Sequence, residues 1–188
     1  MTSGDWRDEY RFGGFYVIPP PGVIEPVDDL RRLHHPQSHA TCHAHVSLSE
    51  PLPRPFTDAD RHDLAAALAA VEPITLRYGP VTCFPPYPGV VYAVEPVDRF
   101  RALRAAVHSV PLFDGVERRR DHVAPHMTIA EFVSWQRTEE LVAELADAAP
   151  EGEFLCDRIE LAVPNDAFWF ERVLTLPLRS PLGAGRKG

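Results

Sequence analysis

The sequence predicts an α+β fold in which two small antiparallel sheets face each other across a central cleft, with helices on the outside. Three observations support this prediction. Short strand-like and helix-like segments follow one another in the order β-α-β-α-β-β-α-β-α-β-β. They form two similar halves, related by a pseudo-two-fold, that divide near Gly79–Gly89. The 20 prolines among 188 residues end these segments at short lengths.

The first half contains two strands and two helices. An aromatic and β-branched strand at Phe12–Ile18 is followed by a short helix at Val27–His35. An alternating strand at His43–Leu48 comes next. Thr57 is placed to cap a helix, with an imperfect capping box, that runs as far as Val71.

The second half repeats this alternation with more strands. Strands at Ile74–Phe84 and Val90–Val94 are joined by a proline-rich turn. A helix at Val97–Val110 follows, because its apolar residues recur at i, i+3 and i+4. The remaining segments are a strand at Met127–Val133, a helix at Thr138–Ala149, and strands at Phe154–Val163 and Trp169–Leu178.

Length and composition indicate one globular domain. Hydrophobic residues make up 45% of the chain and charged residues 24%, which is ordinary for such a domain. We expect residues 1–180 to form a single bilobal domain. The last residues, 181–188, are rich in glycine and end with basic residues, so we expect a flexible C-terminal tail.

The net charge of −8 argues against a protein held to nucleic acid mainly by phosphate neutralisation. It leaves open an enzyme that holds one small nucleotide or one RNA end. No apolar stretch reaches the roughly 18 residues of a membrane span, and the N-terminal residues do not resemble a signal peptide. The three cysteines are widely spaced. We therefore expect a cytoplasmic monomer that binds no membrane and forms no stable nucleic-acid complex.

Two segments share the pattern histidine, apolar residue, hydroxyl residue, apolar residue. The first is His45-Val46-Ser47-Leu48, and the second, about 80 residues further on, is His126-Met127-Thr128-Ile129. Side chains of a strand alternate between its faces, so each histidine shares a face with its hydroxyl residue. The apolar pair anchors each strand to helices behind it. If the halves pack about a pseudo-two-fold, both polar pairs meet in one cleft.

This constellation suits phosphodiester chemistry. One histidine can take a proton from a nucleophile, and a second can donate a proton to the leaving oxygen. The hydroxyl groups can bind the non-bridging phosphate oxygens, where negative charge develops. The candidate catalytic residues are therefore His45, His126, Ser47 and Thr128. This chemistry requires neither a metal nor another cofactor.

The two motifs together resemble those of the 2H phosphoesterase superfamily, which includes 2′-5′ RNA ligase-like proteins and 2′,3′-cyclic nucleotide phosphodiesterases. The order of elements from Phe12 to Leu178 also fits that superfamily. The resemblance implies a bilobal α+β fold with one motif in each lobe. It also implies a metal-independent phosphodiesterase that acts on a 2′,3′-cyclic phosphate or a related small nucleotide or RNA end. By the same resemblance, His126 is the base and His45 the acid.

Two departures from the family pattern bear on the substrate. The first motif has Ser47 where threonine is commoner. After the second motif, where RNA ligase-like members often have an arginine, this chain has Glu131. Together with the acidic net charge, this glutamate favours a compact substrate over a long RNA.

Five further residues are candidates for substrate binding. His43 lies two positions before His45 on the same predicted strand face. Arg118 and Arg120 belong to an arginine run in a predicted loop, from which they could hold a phosphate. The aromatic rings of Tyr87 and Trp169 could stack on a base.

Three alternative functions remain open at the level of sequence. A 2′-5′ RNA ligase-type transfer uses the same groups in the reverse direction. A non-catalytic nucleotide-binding protein keeps the cleft without turnover. A metal-dependent hydrolase would leave Ser47 and Thr128 without a role. Its ligands would come from a cluster of histidines: His39, His43, His45, His122 and His126.

Overall fold

The computed structural model describes residues 6–179, and for Trp6 the backbone alone. The tail at 181–188, predicted to be flexible, lies outside the described residues. The helices are α1 (Trp6–Glu9), α2 (Pro21–His34), α3 (Pro36–His39), α4 (Asp58–Leu68), α5 (Val97–Val107) and α6 (Trp135–Leu145), with a 3₁₀ turn at Pro111–Phe113. The strands are β1 (Gly14–Val17), β2 (Val46–Ser47), β3 (Ile74–Cys83), β4 (Gly89–Glu95), β5 (His126–Glu131), β6 (Gly152–Cys156), β7 (Arg158–Pro164) and β8 (Phe170–Pro177). Within the described range, no helix combines the length and the apolar character needed to cross a bilayer.

The α+β class is confirmed, but its strands form one curled sheet rather than two. All eight strands are joined by antiparallel pairing in the order β6-β3-β4-β5-β2-β1-β7-β8. The seam between β5 and β2 rests on a single residue pair, Val46 with Met127. Four strands lie on each side of this short seam. The sheet therefore has two halves of four strands each, and hydrogen bonds at the seam connect them.

The division expected near Gly79–Gly89 is wrong, because it falls inside a hairpin. β3 and β4 pair with each other on either side of that turn and lie in the same half of the sheet. The single strand expected at Phe154–Val163 is two strands. β6 pairs with β3 at one edge, whereas β7 pairs with β1 and β8 in the other half. The chain therefore crosses from one half of the sheet to the other at Asp157, the single residue between β6 and β7.

The longer helices pack against the sheet, and one of them, α2, also reaches the cavity described below through Ile24 and Arg31. α6 packs on β3 and β4, α5 packs on β4, and α2 packs on β5. The helices α2, α4, α5 and α6 contribute apolar side chains at helical spacing, which are removed from water. Fully buried examples are Val27 of α2, Leu64 and Leu68 of α4, Phe100 and Leu103 of α5, and Leu141 of α6.

A side-chain cap and a proline explain where two of the helices begin. Thr57 caps α4 through a complete capping box, in which Asp60 accepts from the Thr57 amide. Arg54 donates to the same carboxylate at 2.6 and 2.7 Å and lowers the pKa of Asp60, although burial acts against ionisation. α2 starts at Pro21, earlier than the predicted Val27, because proline is favoured in the first turn, where no amide is needed.

Candidate active site

The seam of the sheet brings the two sequence motifs side by side. Their central residues, Val46 and Met127, pair across the seam and are fully buried. Continuing the antiparallel register by one residue places the histidine of each motif opposite the hydroxyl residue of the other. The resulting neighbours are His45 with Thr128, and His126 with Ser47. All four side chains therefore share the face opposite the core.

These four side chains line one cavity of about 670 Å³. The apolar residues that alternate with them, Leu48 and Ile129 among others, are fully buried on the core face. The structure thus places the four predicted catalytic residues in a single cavity, and the alternation of β2 and β5 is the reason. A cavity of this volume matches a small-molecule ligand.

The two motif histidines are held in the same way. Nδ1 of His45 lies 2.8 Å from the carbonyl oxygen of His43, and Nδ1 of His126 lies 2.8 Å from that of Ala124. A carbonyl oxygen can only accept, so both Nδ1 atoms carry a hydrogen and donate it. In the neutral ring, Nε2 is then the unprotonated nitrogen. Each histidine therefore keeps Nε2 for proton transfer.

The charge state of His126 follows from its surroundings. Burial lowers the pKa of this imidazole to about 4, and the nearby charges of His45, Arg120 and Arg104 act in the same direction. The bond to Ala124 opposes the shift without cancelling it. The ring of Phe84, with its centroid 4.3 Å from that of His126, contributes to the burial. His126 is therefore neutral at neutral pH and can accept a proton.

Arg120 and Arg118, both predicted to bind phosphate, occupy different positions. Arg120 is half-buried, lines the cavity and donates to the hydroxyl of Tyr10. The carboxylate of Glu50, itself buried, accepts from the Arg120 amide at 2.6 Å. Arg118 is not among the residues that line the cavity, and it donates to the carbonyl of His108 at 3.2 Å. Arg120 is therefore placed to contact a phosphate in the cavity, whereas Arg118 does not line it.

His43 is positioned by a buried carboxylate. Its Nδ1 donates to Asp28 at 2.7 Å, and the other oxygen of Asp28 accepts from the amide of Ala44 at 2.8 Å. These bonds replace strand pairing. β2 therefore begins at Val46, whereas the sequence predicts a start at His43. His43 lines the cavity beside Trp169, whose ring centroid is 5.0 Å away. Both predicted substrate-binding residues thus lie at this wall.

Aromatic side chains form two walls of the cavity, on either side of the motif histidines. The wall next to His126 contains Phe84, Tyr87 and Phe132. The wall next to His45 contains Tyr10, Tyr16, Trp169 and Phe170. Among these residues, Tyr87 and Trp169 are the two that the sequence predicts to stack on a base, and both line the cavity.

Cys42 and Arg31 also line the cavity, which the sequence pattern does not predict. Arg31 is fully buried, and its Nη2 lies 2.9 Å from the Cys42 carbonyl and 3.6 Å from the Cys42 sulfur. Burial raises the pKa of the Cys42 thiol, but His45 and Arg31 outweigh this effect and lower the pKa to about 6. The pattern of α2 gives no sign of this, because a buried arginine is rare on a helix face.

The histidine cluster considered as a metal site is not assembled. Among residues 6–179, no group of three or more His, Cys, Asp or Glu side chains is arranged to hold a metal ion. The geometry therefore favours the proton-transfer interpretation of these histidines.

The curled antiparallel sheet with its helices matches the fold of the 2H phosphoesterases. The family model of the 2'-5' RNA ligase superfamily matches residues 19–167, and the chain belongs to this superfamily. No curated protein matches the chain significantly.

Solved structures of similar fold include three whose chains are almost completely covered. The protein TT0787 of Thermus thermophilus is 17% identical, with a TM-score of 0.53 over 89% of this chain and 98% of its own. A structure described as a phosphoesterase is 14% identical, with a TM-score of 0.59 over 92% and 100%. LigT of E. coli in complex with 3'-AMP is 13% identical, with a TM-score of 0.59 over 90% and 99%. At these identities the likeness concerns the fold.

Proposed function

We propose that this protein is a metal-independent phosphodiesterase that acts on a 2′,3′-cyclic phosphate or a related small nucleotide or RNA end. One observation carries the proposal. Two histidines that each keep Nε2 for proton transfer lie in one cavity, beside two hydroxyl residues on the same sheet face. Membership of the 2'-5' RNA ligase superfamily supports phosphodiester chemistry as the class of reaction.

The mechanism assigns one proton transfer to each histidine. His126 is neutral and accepts a proton from the attacking water through Nε2. His45 acts as the acid, and its Nε2 donates a proton to the departing ribose oxygen. The hydroxyl groups of Ser47 and Thr128 donate to the non-bridging oxygens as negative charge develops on them. In the ligation direction the two histidines exchange roles, because each step must be reversible.

The rest of the cavity supplies substrate binding. The guanidinium of Arg120 provides a fixed positive charge near His126, where a phosphate would be held. The aromatic walls provide faces on which a base can stack. The volume of about 670 Å³ suits one or two nucleotides rather than a long RNA, which agrees with the net charge of −8.

The test is a substrate panel assayed with and without a chelator. Hydrolysis of 2′,3′-cyclic nucleotides, or of RNA with a 2′,3′-cyclic end, that persists in EDTA is the expected result. Loss of activity in EDTA that zinc restores would contradict metal independence. Joining of the cyclic end to a 5′-hydroxyl RNA, without hydrolysis, would show that the protein is a ligase and not a phosphodiesterase.

The low pKa of His126 predicts an unusual pH dependence. A base must be deprotonated, and His126 loses its proton as the pH rises through about 4. We therefore expect kcat/KM, measured from pH 3 to pH 9, to decline on the acidic side only as the pH falls toward about 4. A histidine with an ordinary pKa of about 6.5 would place this decline more than two pH units higher.

A Phe84→Ala variant tests the cause of this shift. Removing the ring admits water to His126 and reduces the burial that lowers its pKa. The acidic limb should then move upward, toward the ordinary histidine value, while the alkaline limb moves less. An acidic limb near pH 6.5 in the unmodified protein would contradict the lowered pKa of the base.

A further inference from the structure

Glu131 is a half-buried carboxylate in the cavity wall that the mechanism does not use. It is the last residue of β5, three positions after Thr128, or about 10 Å further along the strand. Among residues 6–179, no side chain or amide donates a hydrogen bond to this carboxylate or forms an ion pair with it. Partial burial without a donor costs this carboxylate part of its hydration, which a ligand with hydrogen-bond donors would restore.

A β-bulge directs Glu131 into the cavity. Strict alternation would place its side chain on the core face with that of Ile129. Between two consecutive residues of β4, however, the partner on β5 changes from Thr128 to Ala130, so β5 contains one extra residue. Ile129 and Ala130 are both buried as a result, and Glu131 returns to the cavity face. Gly89 allows this close approach, since a Cβ there would lie 3.0 Å from the Ala130 carbonyl oxygen.

The residue after Glu131 is also held in a costly state. Phe132 has φ of 56°, in the left-handed region that residues with a Cβ rarely adopt. Its side chain is 87% exposed, yet it lines the cavity with Phe84 and Tyr87. Unfavourable backbone and exposed aromatic surface persist where a ligand makes use of them. One end of the cavity therefore offers aromatic faces beside an unpaired carboxylate.

The chemistry of this end selects the part of a nucleotide that can bind there. The phosphate is excluded, because a carboxylate repels an anion. A base fits, because the rings offer stacking and the carboxylate accepts hydrogen bonds. Two adjacent carboxylate oxygens match two adjacent donors. Guanine presents such a pair, N1–H and N2–H, on its Watson–Crick edge. Adenine and cytosine place an acceptor beside their amino group, and uracil flanks its single donor with two carbonyls.

We propose that Glu131 is a specificity-determining residue that makes the cavity prefer guanine nucleotides, with the base stacked against the wall formed by Phe84, Tyr87 and Phe132. This inference rests on the proposed function for the position of the phosphate. The carboxylate accepts from N1–H and N2–H of the base while the phosphate lies between the motif histidines. Other bases leave one oxygen of Glu131 facing an acceptor, which lowers their affinity.

The experiment compares kcat/KM for the 2′,3′-cyclic phosphates of guanosine, adenosine, cytidine and uridine. A bidentate pair predicts a preference for guanosine of about tenfold or more. In Glu131→Gln, the side chain presents one acceptor and one donor, a combination that an adjacent donor and acceptor on each of the four bases can match. That variant should therefore lose the guanosine preference and hydrolyse the four substrates with similar kcat/KM. A preference for another base in the unmodified protein, or a guanosine preference that survives Glu131→Gln, overturns the inference.

Glu171→Gln is the matched control, because Glu171 lines the same cavity but is hydrogen-bonded to Asn165. It removes the same charge and should leave the base preference unchanged. An equal loss of preference in this control would attribute the effect to cavity charge and overturn the role of Glu131. If none of the four substrates is hydrolysed, the proposed function fails. Calorimetric titration with 2′-GMP and 2′-AMP then tests the base preference separately, and equal affinities overturn it.

Discussion

A His126→Ala variant is expected to lose about 10²- to 10⁴-fold in kcat on a 2′,3′-cyclic nucleotide. The reason is that the base then has to be water, because the variant has no imidazole at the position opposite Ser47. A His45→Ala variant should lose a similar factor through the missing acid. The measurement is kcat for each variant, with retention of the fold checked by circular dichroism.

The leaving group separates the two roles. In a nucleoside phosphodiester with a nitrophenyl group, that group leaves without needing a proton. This substrate therefore bypasses the acid but not the base. His45→Ala should therefore recover most of its activity on this substrate, whereas His126→Ala should not. Recovery in His126→Ala alone would exchange the two assignments. Unchanged turnover of the cyclic nucleotide in both variants would remove the histidines from the chemistry.

His62→Ala serves as the control for both variants. His62 is exposed on α4 and does not line the cavity. Its replacement should leave kcat unchanged within error. A comparable loss of turnover in His62→Ala would indicate that the activity responds to histidine removal in general, and the assignment of the motif histidines would lose its support.

The shared face of the four motif residues was predictable because it depends on local geometry. Alternation along a strand has a period of two, so the pattern histidine, apolar, hydroxyl, apolar already separates a polar face from a core face. The register across the seam then follows from burial of both Val46 and Met127. The cavity and its central residues follow from these two steps.

The division of the sheet was not predictable in the same way, because it depends on long-range pairing. Residues 152–164 form one β-rich run in the sequence, yet Cys156 and Arg158 lie in strands of different halves. The bulge that directs Glu131 into the cavity was also hidden, since strict alternation assigns this residue to the core. Arg31 has the sequence context of an ordinary charged residue of a helix.

Arg104 shows how a buried charge can hold the first motif and the arginine loop together. This side chain of α5 is 2% exposed and donates to four backbone carbonyls. Two belong to the first motif, with the Ser47 oxygen at 3.3 Å and the Leu48 oxygen at 3.2 Å. The others, of Arg120 and Val123, belong to the loop before the second motif. The guanidinium therefore couples the position of Arg120 to that of Ser47.

An Arg104→Met variant should lower the free energy of unfolding by about 3 kcal/mol, because it leaves buried carbonyls without donors. Urea denaturation measures this loss. Arg101→Met is the control, since Arg101 is exposed on the same helix and should change stability by less than about 0.5 kcal/mol. Arg104→Met should also raise KM more than it lowers kcat, because the loop carrying Arg120 loses its anchor while His45 and His126 keep their own carbonyl bonds. Equal stability of the two variants would show that the four carbonyls find other donors, and the coupling through Arg104 would then be wrong.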